Sequence, residues 1–283
     1  MPFLVSVDWL AEHLQDPNLI IIDSRFSLAE PQLGRQQYQT SHIPGAFYLD
    51  LNTDLSSPVQ PHGGRHPLPD VDTLAKTFAD LGIQSGLADR ETTFVVAYDA
   101  SRFAFASRLW WLLRYLGHDQ VAVLDGGFPA WQAAERPVTA DEPQPQPKTF
   151  IPRVRSHWVK AIAQVESELG QAILVDSREG ARYRGEQEPI DPVAGHIPGA
   201  LNYPWQEVTD EHGFAYPAAH NKQRWSSLPS PQNLTVYCGS GVTACVNLLS
   251  LEWAGIHDAN LYAGSWSDWC SYAHTPKAQG DEP

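Results

Sequence analysis

The most informative segment of the chain is Leu234-Thr-Val-Tyr-Cys-Gly-Ser-Gly-Val-Thr-Ala244. Its β-branched and aromatic start predicts a buried strand, and the apolar pattern that follows, over 244–254, predicts a helix. Between them, the glycines at 239 and 241 allow successive backbone N–H groups to point into a tight loop, to which the helix adds its positive N-terminal end. Such a loop stabilises an anion, so we expect the thiolate of Cys238 to act as a nucleophile.

The other two cysteines lack this context. Cys245 falls inside the predicted helix, and Cys270 lies beside Trp269 and Ser271 without a glycine loop. Both are predicted to be small buried apolar residues, which is the commonest role of a free cysteine and the alternative interpretation of Cys238. Three cysteines without a CxxC pair predict neither a disulfide framework nor a metal or redox centre, and we expect no cofactor.

The same landmarks occur twice along the chain. An aspartate-serine-arginine triplet, an HIPGA turn, a strand that ends in tyrosine and an aromatic-rich closing motif recur in the same order: 23–25 and 176–178, 42–46 and 196–200, 93–98 and 234–237, 124–131 and 262–269. Short apolar strands alternate with helical patterns over 9–14, 74–81, 104–116, 158–169 and 244–254. This alternation predicts two α/β domains, each an open, mostly parallel sheet with helices on both faces.

Composition shifts give the domain boundaries. We predict an N-terminal domain over 1–139, a proline-rich extended linker over 140–153, a C-terminal domain over 154–276 and a polar tail over 277–283. Alternating prolines without large apolar residues favour an extended linker, and a short polar terminus is expected to fray.

Charge and targeting signals exclude several classes of protein. Nineteen Lys and Arg against 33 Asp and Glu give a net charge of −14, which opposes binding to nucleic acid or to an anionic membrane. The N-terminal stretch has no basic region before an apolar run, so it does not predict a signal peptide, and we expect a cytoplasmic protein. An anionic substrate would need local positive charge, which makes each well-placed arginine informative.

These landmarks and the cysteine loop resemble the tandem-domain rhodanese family of sulfurtransferases, over nearly the whole chain. The loop residues that match are Cys238, Gly239, Ser240, Gly241, Val242 and Thr243. The loop is similar to that of the 3-mercaptopyruvate-using branch, whereas thiosulfate-using relatives often carry basic residues in the two positions after the cysteine. The resemblance implies that Cys238 takes sulfur from a small-molecule donor, becomes a persulfide and passes the sulfur to a thiol, including a protein thiol, or to cyanide.

The resemblance also implies that the N-terminal domain is a catalytically silent scaffold. Asp99 follows Tyr98 where Cys238 follows Tyr237, and a carboxylate cannot carry a sulfane sulfur. The segment that follows, Ala100-Ser101-Arg102, contains no glycine. We therefore expect that this loop does not gather N–H groups around residue 99.

Arg182 matches the family position that binds the carboxylate or sulfonate of the donor, a role that suits a planar, always-charged guanidinium. The alternative is an ordinary surface arginine, as expected for Arg184. The mercaptopyruvate enzymes use a second arginine a few residues later, where this chain has Ile190. This departure leaves thiosulfate as the alternative donor.

His66 and Asp50 match positions proposed in the family to form a proton relay with the loop serine, Ser240. A histidine suits proton transfer near neutral pH, and formation of pyruvate requires it; a structural histidine is the alternative. The hydroxyls of Ser240 and Thr243 are expected either to donate to the sulfur or to serve the loop and the helix N-terminus. The two HIPGA histidines occur in both domains and are predicted to be fold residues.

Two other classes of function remain as alternatives. A cysteine-dependent phosphatase needs an arginine six residues after its cysteine, and position 244 is alanine, which argues against that class. A persulfide-carrying or regulatory binding module would use the same cysteine loop without turning over a small donor. Only an assay separates that module from an enzyme.

Overall fold

The computed structural model describes residues 2–86, 92–228 and 233–281, and it divides into two compact units. Unit 1 holds the chain up to residue 57 together with 69–155 and 211–215, and unit 2 holds 58–68, 156–210 and the chain from 216 onward. The division therefore differs from the predicted boundaries. Residues 58–68, predicted in the N-terminal domain, pack with unit 2, and the predicted linker over 140–153 packs with unit 1.

Unit 1 is built on a parallel sheet with strand order β1-β5-β4-β2-β3. Its elements are β1 (Leu4–Val5), α1 (Val7–His13), β2 (Leu19–Asp23), α2 (Leu33–Thr40), β3 (Ala46–Tyr48), α3 (Val71–Asp80), β4 (Phe94–Tyr98), α4 (Ala106–Tyr115), β5 (Val121–Leu124) and α5 (Gly127–Ala133). The central strands are nearly continuous apolar runs because both of their faces are covered by helices.

Unit 2 repeats this plan with strand order β6-β10-β9-β7-β8, again parallel. Its elements are β6 (Val159–Lys160), α6 (Ile162–Ser167), β7 (Ile173–Asp176), α7 (Gly180–Tyr183), β8 (Ala200–Asn202), α8 (Ala218–Trp225), β9 (Leu234–Tyr237), α9 (Ala244–Trp253), β10 (Asn260–Tyr262) and α10 (Ser265–Trp269), with 3₁₀ turns at Ser156–Trp158 and Trp205–Val208. The predicted α/β class is confirmed. The helix predicted over 158–169 is wrong at its start, where β6 precedes α6.

The aspartate-serine-arginine triplets explain one repeated landmark in each unit. Asp176 ends β7, and its Oδ2 accepts a hydrogen bond of 2.5 Å from Nη2 of Arg178, whose guanidinium stacks 4.8 Å from the Trp266 ring of α10. The matching pair in unit 1, Asp23 and Arg25, is joined over 2.6 Å. Each pair is buried, and the Arg25 guanidinium lies 4.0 Å from the Phe128 ring of α5. In both units the arginine therefore joins the end of a central strand to the last helix.

The HIPGA histidines are buried within each unit. The His196 ring stacks on Tyr183 with centroids 3.8 Å apart, and its Nδ1 lies 2.8 Å from the Tyr183 carbonyl oxygen. His42 stacks on Tyr38 in the same manner. The tail predicted to fray instead pairs with this turn, because the N–H of Ala278 donates to the His196 carbonyl. Within the described ranges, no helix is both long and apolar enough to cross a bilayer.

Candidate active site

The cysteine loop joins the carboxyl end of β9 to α9, as the sequence predicts. Parallel strands present their carboxyl ends at one edge of the sheet, where α/β folds place their ligands. Gly241 turns the loop with a φ of 76°, in the left-handed region, and a Cβ at this position would stand 2.3 Å from the Ala263 carbonyl oxygen. Only glycine fits here, which explains the second glycine of the motif.

The closing motif of unit 2 holds this loop in place. Oγ of Ser265 accepts a hydrogen bond of 3.1 Å from the Cys238 N–H and donates to the Tyr262 carbonyl. The N–H groups of Trp266 and Ser267 donate to the carbonyls of Cys238 and Gly239 over 3.0 and 2.9 Å. Ser265 is buried and has a φ of 56°, an uncommon conformation for a residue other than glycine, which the surrounding hydrogen bonds maintain.

The loop leaves backbone donors beside a buried thiol. Cys238 is 1% exposed, and α9 begins six residues later. Within residues 2–86, 92–228 and 233–281, no hydrogen bond to a protein acceptor is formed by the N–H groups of Ser240, Val242 or Ala244. The N–H groups at the start of a helix have no partner inside the helix, so they are suited to an anion. The arrangement fits a thiolate or a persulfide at residue 238.

In the equivalent loop of unit 1, backbone N–H groups donate to a side chain of the loop itself. The Asp99 carboxylate accepts four backbone hydrogen bonds: from Ser101 at 2.8 Å, Phe103 at 3.2 Å, Phe105 at 2.8 Å and Ala106 at 2.9 Å. Burial raises the pKa of Asp99, and these hydrogen bonds oppose part of that shift. The expectation that this loop gathers no N–H groups is wrong. Arg102 and Phe103 adopt positive φ values of 56° and 72°, so the turn forms without glycine.

His66 meets the cysteine loop, as the resemblance implies. Its Nδ1 lies 2.7 Å from Oγ of Ser240, and both side chains are buried in unit 2. The segment that carries His66 is fixed at Gly64, whose φ is 81° and where a Cβ would stand 2.4 Å from the Gly264 carbonyl oxygen. The N–H of Gly63 also donates to Oδ1 of Asp268 over 2.7 Å. These contacts give the imidazole a defined position at the loop.

The guanidinium groups of two arginines lie close to Gly239, the residue that follows Cys238. A Cβ on Gly239 would stand 3.0 Å from Nη2 of Arg65 and 3.5 Å from Nη1 and Nη2 of Arg182. Arg182 donates to both oxygens of Glu188, at 2.6 and 3.2 Å, and to Oδ2 of Asp191 at 3.3 Å. Nη1 of Arg65 donates to the other oxygen of Asp191. Arg182 was expected in this position from the sequence, whereas Arg65 was not.

The buried carboxylates of this cluster differ in their pKa shifts. Burial alone raises the pKa of Glu188, but hydrogen bonds from Arg182 and from two backbone N–H groups outweigh it, so the net shift is downward. Burial raises the pKa of Asp191, and Arg65 and Arg182 offset only part of that rise. Glu188 is therefore the more firmly ionised anchor for Arg182.

The remaining predicted residues have simpler surroundings. Asp50 lies in unit 1, where its Oδ1 accepts from the N–H groups of Asn52 and Thr53 at 2.8 and 3.2 Å. Val242 is buried, and Thr243 precedes α9 without a side-chain capping hydrogen bond. Of the two roles expected for the Thr243 hydroxyl, capping of the N-terminus of α9 is therefore not observed. The relay role of Asp50 stays a prediction.

The fold of this chain has counterparts in known proteins. The family model of the rhodanese-like domain matches residues 6–134 and 159–272. The chain belongs to the rhodanese family. The resemblance drawn from the motifs is thereby confirmed.

Relatives of this rhodanese match nearly all of its length. A probable 3-mercaptopyruvate sulfurtransferase of Pseudomonas aeruginosa is 43% identical, covering 98% of both chains. A putative thiosulfate sulfurtransferase of Mycobacterium tuberculosis, SseB, is 35% identical over 98% of this chain and 97% of its own length. The crystal structure of SseA from Escherichia coli, a 3-mercaptopyruvate sulfotransferase, has 31% identity and a TM-score of 0.80, covering 94% of this chain and 100% of that one. This rhodanese is a sulfurtransferase.

The other two cysteines of this rhodanese differ from Cys238 in their surroundings. Those of Cys270 disfavour a thiolate, and Cys245 lies within a helix. Burial, with a contribution from Asp191, raises the pKa of Cys270 to about 11. Sγ of Cys245 donates to the Gly241 carbonyl from inside α9. Among the described residues, no cluster of three or more His, Cys, Asp or Glu side chains is arranged to hold a metal ion.

Proposed function

We propose that this rhodanese transfers a sulfane sulfur from 3-mercaptopyruvate, through a persulfide on Cys238, to a thiol acceptor. The observation that carries the proposal is the convergence on one loop of a buried thiol, backbone N–H donors and two guanidinium groups. An α-keto acid with a carboxylate fits the guanidinium groups, and the thiolate and persulfide fit the N–H donors.

The first half-reaction breaks the carbon–sulfur bond of the donor. The Cys238 thiolate attacks the donor sulfur and forms a sulfur–sulfur bond, while the carbon–sulfur electron pair remains on carbon as the enolate of pyruvate. The donor thiol proton ends on that carbon, so the products are the Cys238 persulfide anion and pyruvate. Backbone donors around residue 238 stabilise the negative charge on the outer sulfur.

The proton must travel from the donor sulfur to the enolate. The 2.7 Å hydrogen bond between the Ser240 hydroxyl and His66 Nδ1 supports a role for this serine in the transfer. His66 holds the hydroxyl in one orientation and shares its proton, which is the usual work of a histidine near neutral pH. Asp50 is proposed as the third member, as the family pattern implies.

The second half-reaction returns Cys238 to the thiolate. An acceptor thiolate, from a small molecule or a protein, attacks the outer sulfur and leaves as a new persulfide; cyanide would leave as thiocyanate. Cys238, Cys245 and Cys270 are all free thiols. We place the reaction in the reducing cytoplasm, where such thiols persist.

Thiosulfate is the competing donor, since one relative carries that name. A dianion gains from uncompensated positive charge beside the sulfur. The two residues after Cys238 are neutral, and the nearby Arg65 and Arg182 are already paired with carboxylates. Steady-state rates with the two donors decide between them. We expect the higher kcat/KM with 3-mercaptopyruvate, and a higher value with thiosulfate would overturn the choice of donor but not the transferase.

Replacement of the nucleophile tests the proposed intermediate. Cys238→Ser should abolish transfer, and intact-mass analysis after donor treatment should show one added sulfur on the wild type and none on this variant. Cys245→Ser and Cys270→Ser are matched controls, because each removes another buried free thiol and should leave the added sulfur in place. A labile sulfur that persists on Cys238→Ser contradicts the assignment. A persulfide without catalytic turnover would indicate a carrier.

A further inference from the structure

Unit 1 contains a cavity of about 430 Å³ at the carboxyl edge of its sheet. Its walls come from the segments that follow β2 and β4, through Arg25 and Ala100, and from α2 and α5. Every described residue that lines the cavity belongs to unit 1. The sulfur transfer proposed for Cys238 therefore does not use this cavity.

The cavity corresponds in position to the active site of unit 2. Tyr38 of α2 and Tyr183 of α7 are equivalent, because each stacks on a HIPGA histidine and donates its hydroxyl to the carbonyl oxygen of the last residue of that turn. The residue before the tyrosine is Gln37 in unit 1, which lines the cavity, and Arg182 in unit 2. Unit 1 thus has the cleft of the catalytic unit without its nucleophile.

The buried arginines of the two units, Arg25 and Arg178, are oriented alike. Each pairs with the aspartate that ends its strand, as described above. Nη2 of each also donates to the backbone carbonyl oxygen just before the HIPGA turn, that of Ser41 over 2.7 Å and that of Gly195 over 2.6 Å. The two guanidinium groups therefore present the same edge, which carries Nη1, to the cleft of their unit.

The partner of Nη1 differs between the two units. Nη1 of Arg178 donates to Oε2 of Glu188 over 3.2 Å. Nη1 of Arg25 donates to no acceptor within residues 2–86, 92–228 and 233–281, although Arg25 is 4% exposed and lines the cavity. A charged donor on a buried side chain is stabilised by an acceptor. Unit 1 therefore presents to its cavity the donor that unit 2 pairs with a carboxylate.

The lining of the cavity suits a small acid with an oxygen substituent. The Arg25 guanidinium lies over the Phe128 ring, 4.0 Å from its centroid, so a ligand reaches it along the edge and not at this face. Asp23 balances the charge of Arg25, so recognition depends on directed N–H donors, which a planar carboxylate accepts well. Exposed amide side chains add donors and acceptors for a hydroxyl or keto oxygen: Gln36, Gln37 and Gln132.

We propose that this cavity is a second ligand site, which binds the carboxylate of a small hydroxy or keto acid on Nη1 of Arg25. The ligand carboxylate takes in unit 1 the role that the Glu188 side chain has in unit 2. The neighbouring loop does not compete for the ligand, because its N–H groups already donate to the Asp99 carboxylate. Unit 1 is then a ligand-binding domain as well as a scaffold.

The test uses the full chain and two probes that differ in the carboxylate. Lactate and lactamide share the carbon chain and the hydroxyl group, but lactamide is uncharged. Lactate should produce saturable changes in the backbone amide NMR signals of Gln37, Ser41 and Ala100, which line the cavity. Lactamide, and sodium chloride at the same ionic strength, should bind at least about tenfold more weakly, because neither offers two charged oxygens to the guanidinium.

Two glutamines of α2 provide matched variants. Gln37→Glu adds a carboxylate at the wall of the cavity, where it pairs with Nη1 of Arg25 and repels an acid, so lactate should bind at least about tenfold more weakly. Gln39→Glu adds the same charge at an exposed position of the same helix that does not line the cavity, and its affinity should stay within about twofold of the wild type. Cys238→Ser should bind lactate at the cavity as the wild type does.

Several results would overturn the inference. Lactate that changes no signal at the cavity, or changes signals only around Gly239 and Arg182 of unit 2, would exclude the site. Equal changes with lactamide or chloride would remove the role of the carboxylate. Unaltered lactate binding in Gln37→Glu, an equal loss in Gln39→Glu, or a loss in Cys238→Ser would each show that the ligand does not bind at Arg25.

Discussion

Nδ1 of His66 lies 2.7 Å from Oγ of Ser240, two residues after the cysteine of the active-site loop. The two residues are 174 positions apart along the chain, yet both belong to unit 2. The same segment holds a second pair of this type, in which His62 Nδ1 lies 2.8 Å from Oγ of Ser271. The chain thus supplies its own comparison for the role of the first pair.

Ser240→Ala should lower kcat with 3-mercaptopyruvate by about 100-fold or more, with a small change in KM, because positioned proton transfer contributes at this level. Steady-state kinetics at several pH values measure both constants. Ser271→Ala removes the hydroxyl of the exposed His62 pair and should leave kcat unchanged. A normal kcat in Ser240→Ala would show that the proton reaches pyruvate by another route.

Asp99→Asn tests the closed loop of unit 1. Oδ1 of Asp99 accepts from Ser101 and Phe103, and Oδ2 accepts from Phe105 and Ala106. An amide nitrogen in place of one oxygen would face two N–H groups, so we expect a loss of about 2–4 kcal/mol in the free energy of unfolding. Chemical denaturation measures it, and Asp72→Asn, at an exposed position of α3, is the control. Equal stability of Asp99→Asn and the wild type would refute the importance of these four hydrogen bonds.

Gly241→Ala tests the turn beside the nucleophile. The left-handed φ of 76° and the 2.3 Å approach of the Ala263 carbonyl both oppose a side chain. Gly170 separates the two effects, because its φ is 72° and a Cβ there would meet nothing within 4 Å. Gly170→Ala should cost about 1–2 kcal/mol from backbone conformation alone, and Gly241→Ala should cost more and reduce persulfide formation. Similar losses in both variants would show that the contact with Ala263 relaxes.

Arg182→Ala should reduce kcat/KM for 3-mercaptopyruvate by a factor that corresponds to a loss of about 1.5–3 kcal/mol in transition-state stabilisation. This is the range for a hydrogen bond to a charged group. The loss should appear mainly in KM, because the guanidinium contacts the donor carboxylate in the ground state as well as in the transition state. Kinetics of Arg184→Ala, at the more exposed arginine directly after α7, provide the control. A fall in kcat alone would assign Arg182 to the chemical step.

The sequence allowed the fold and the cysteine loop to be predicted because both depend on local patterns. Each signal lies within a short segment of sequence: the apolar strands, the two glycines of the loop and the repeated triplets. The structure contains the strands and helices that these segments predict. Arg65 was missed because its partner Asp191 is 126 residues away along the chain, and its own segment has no periodic signal. The loop of unit 1 was wrongly predicted because Arg102 and Phe103 adopt positive φ values that glycine usually provides.

Glu188 was likewise overlooked, although it holds two arginines at once. Its carboxylate accepts from Arg182 and from Nη1 of Arg178, and its own side chain is 3% exposed. Glu188→Gln should therefore remove one of the two charged partners of each arginine, since Asp176 and Asp191 remain. We expect it to lower the free energy of unfolding by about 3 kcal/mol at pH 7. It should also raise KM for 3-mercaptopyruvate, because Arg182 loses the contact that orients it.

The destabilisation caused by Glu188→Gln should become smaller as the pH falls. Hydrogen bonds to Glu188 lower its pKa in the folded protein, so the unfolded chain takes up the proton first as the pH falls. The stabilisation is therefore present above about pH 4.5 and is lost below it, and the stabilities of Glu188→Gln and the wild type should converge in acid. Glu186→Gln removes the exposed partner of Arg184 in the same loop and should have little effect at any pH. A constant difference between Glu188→Gln and the wild type, from neutral pH into acid, would show that the carboxylate acts by shape and not by charge.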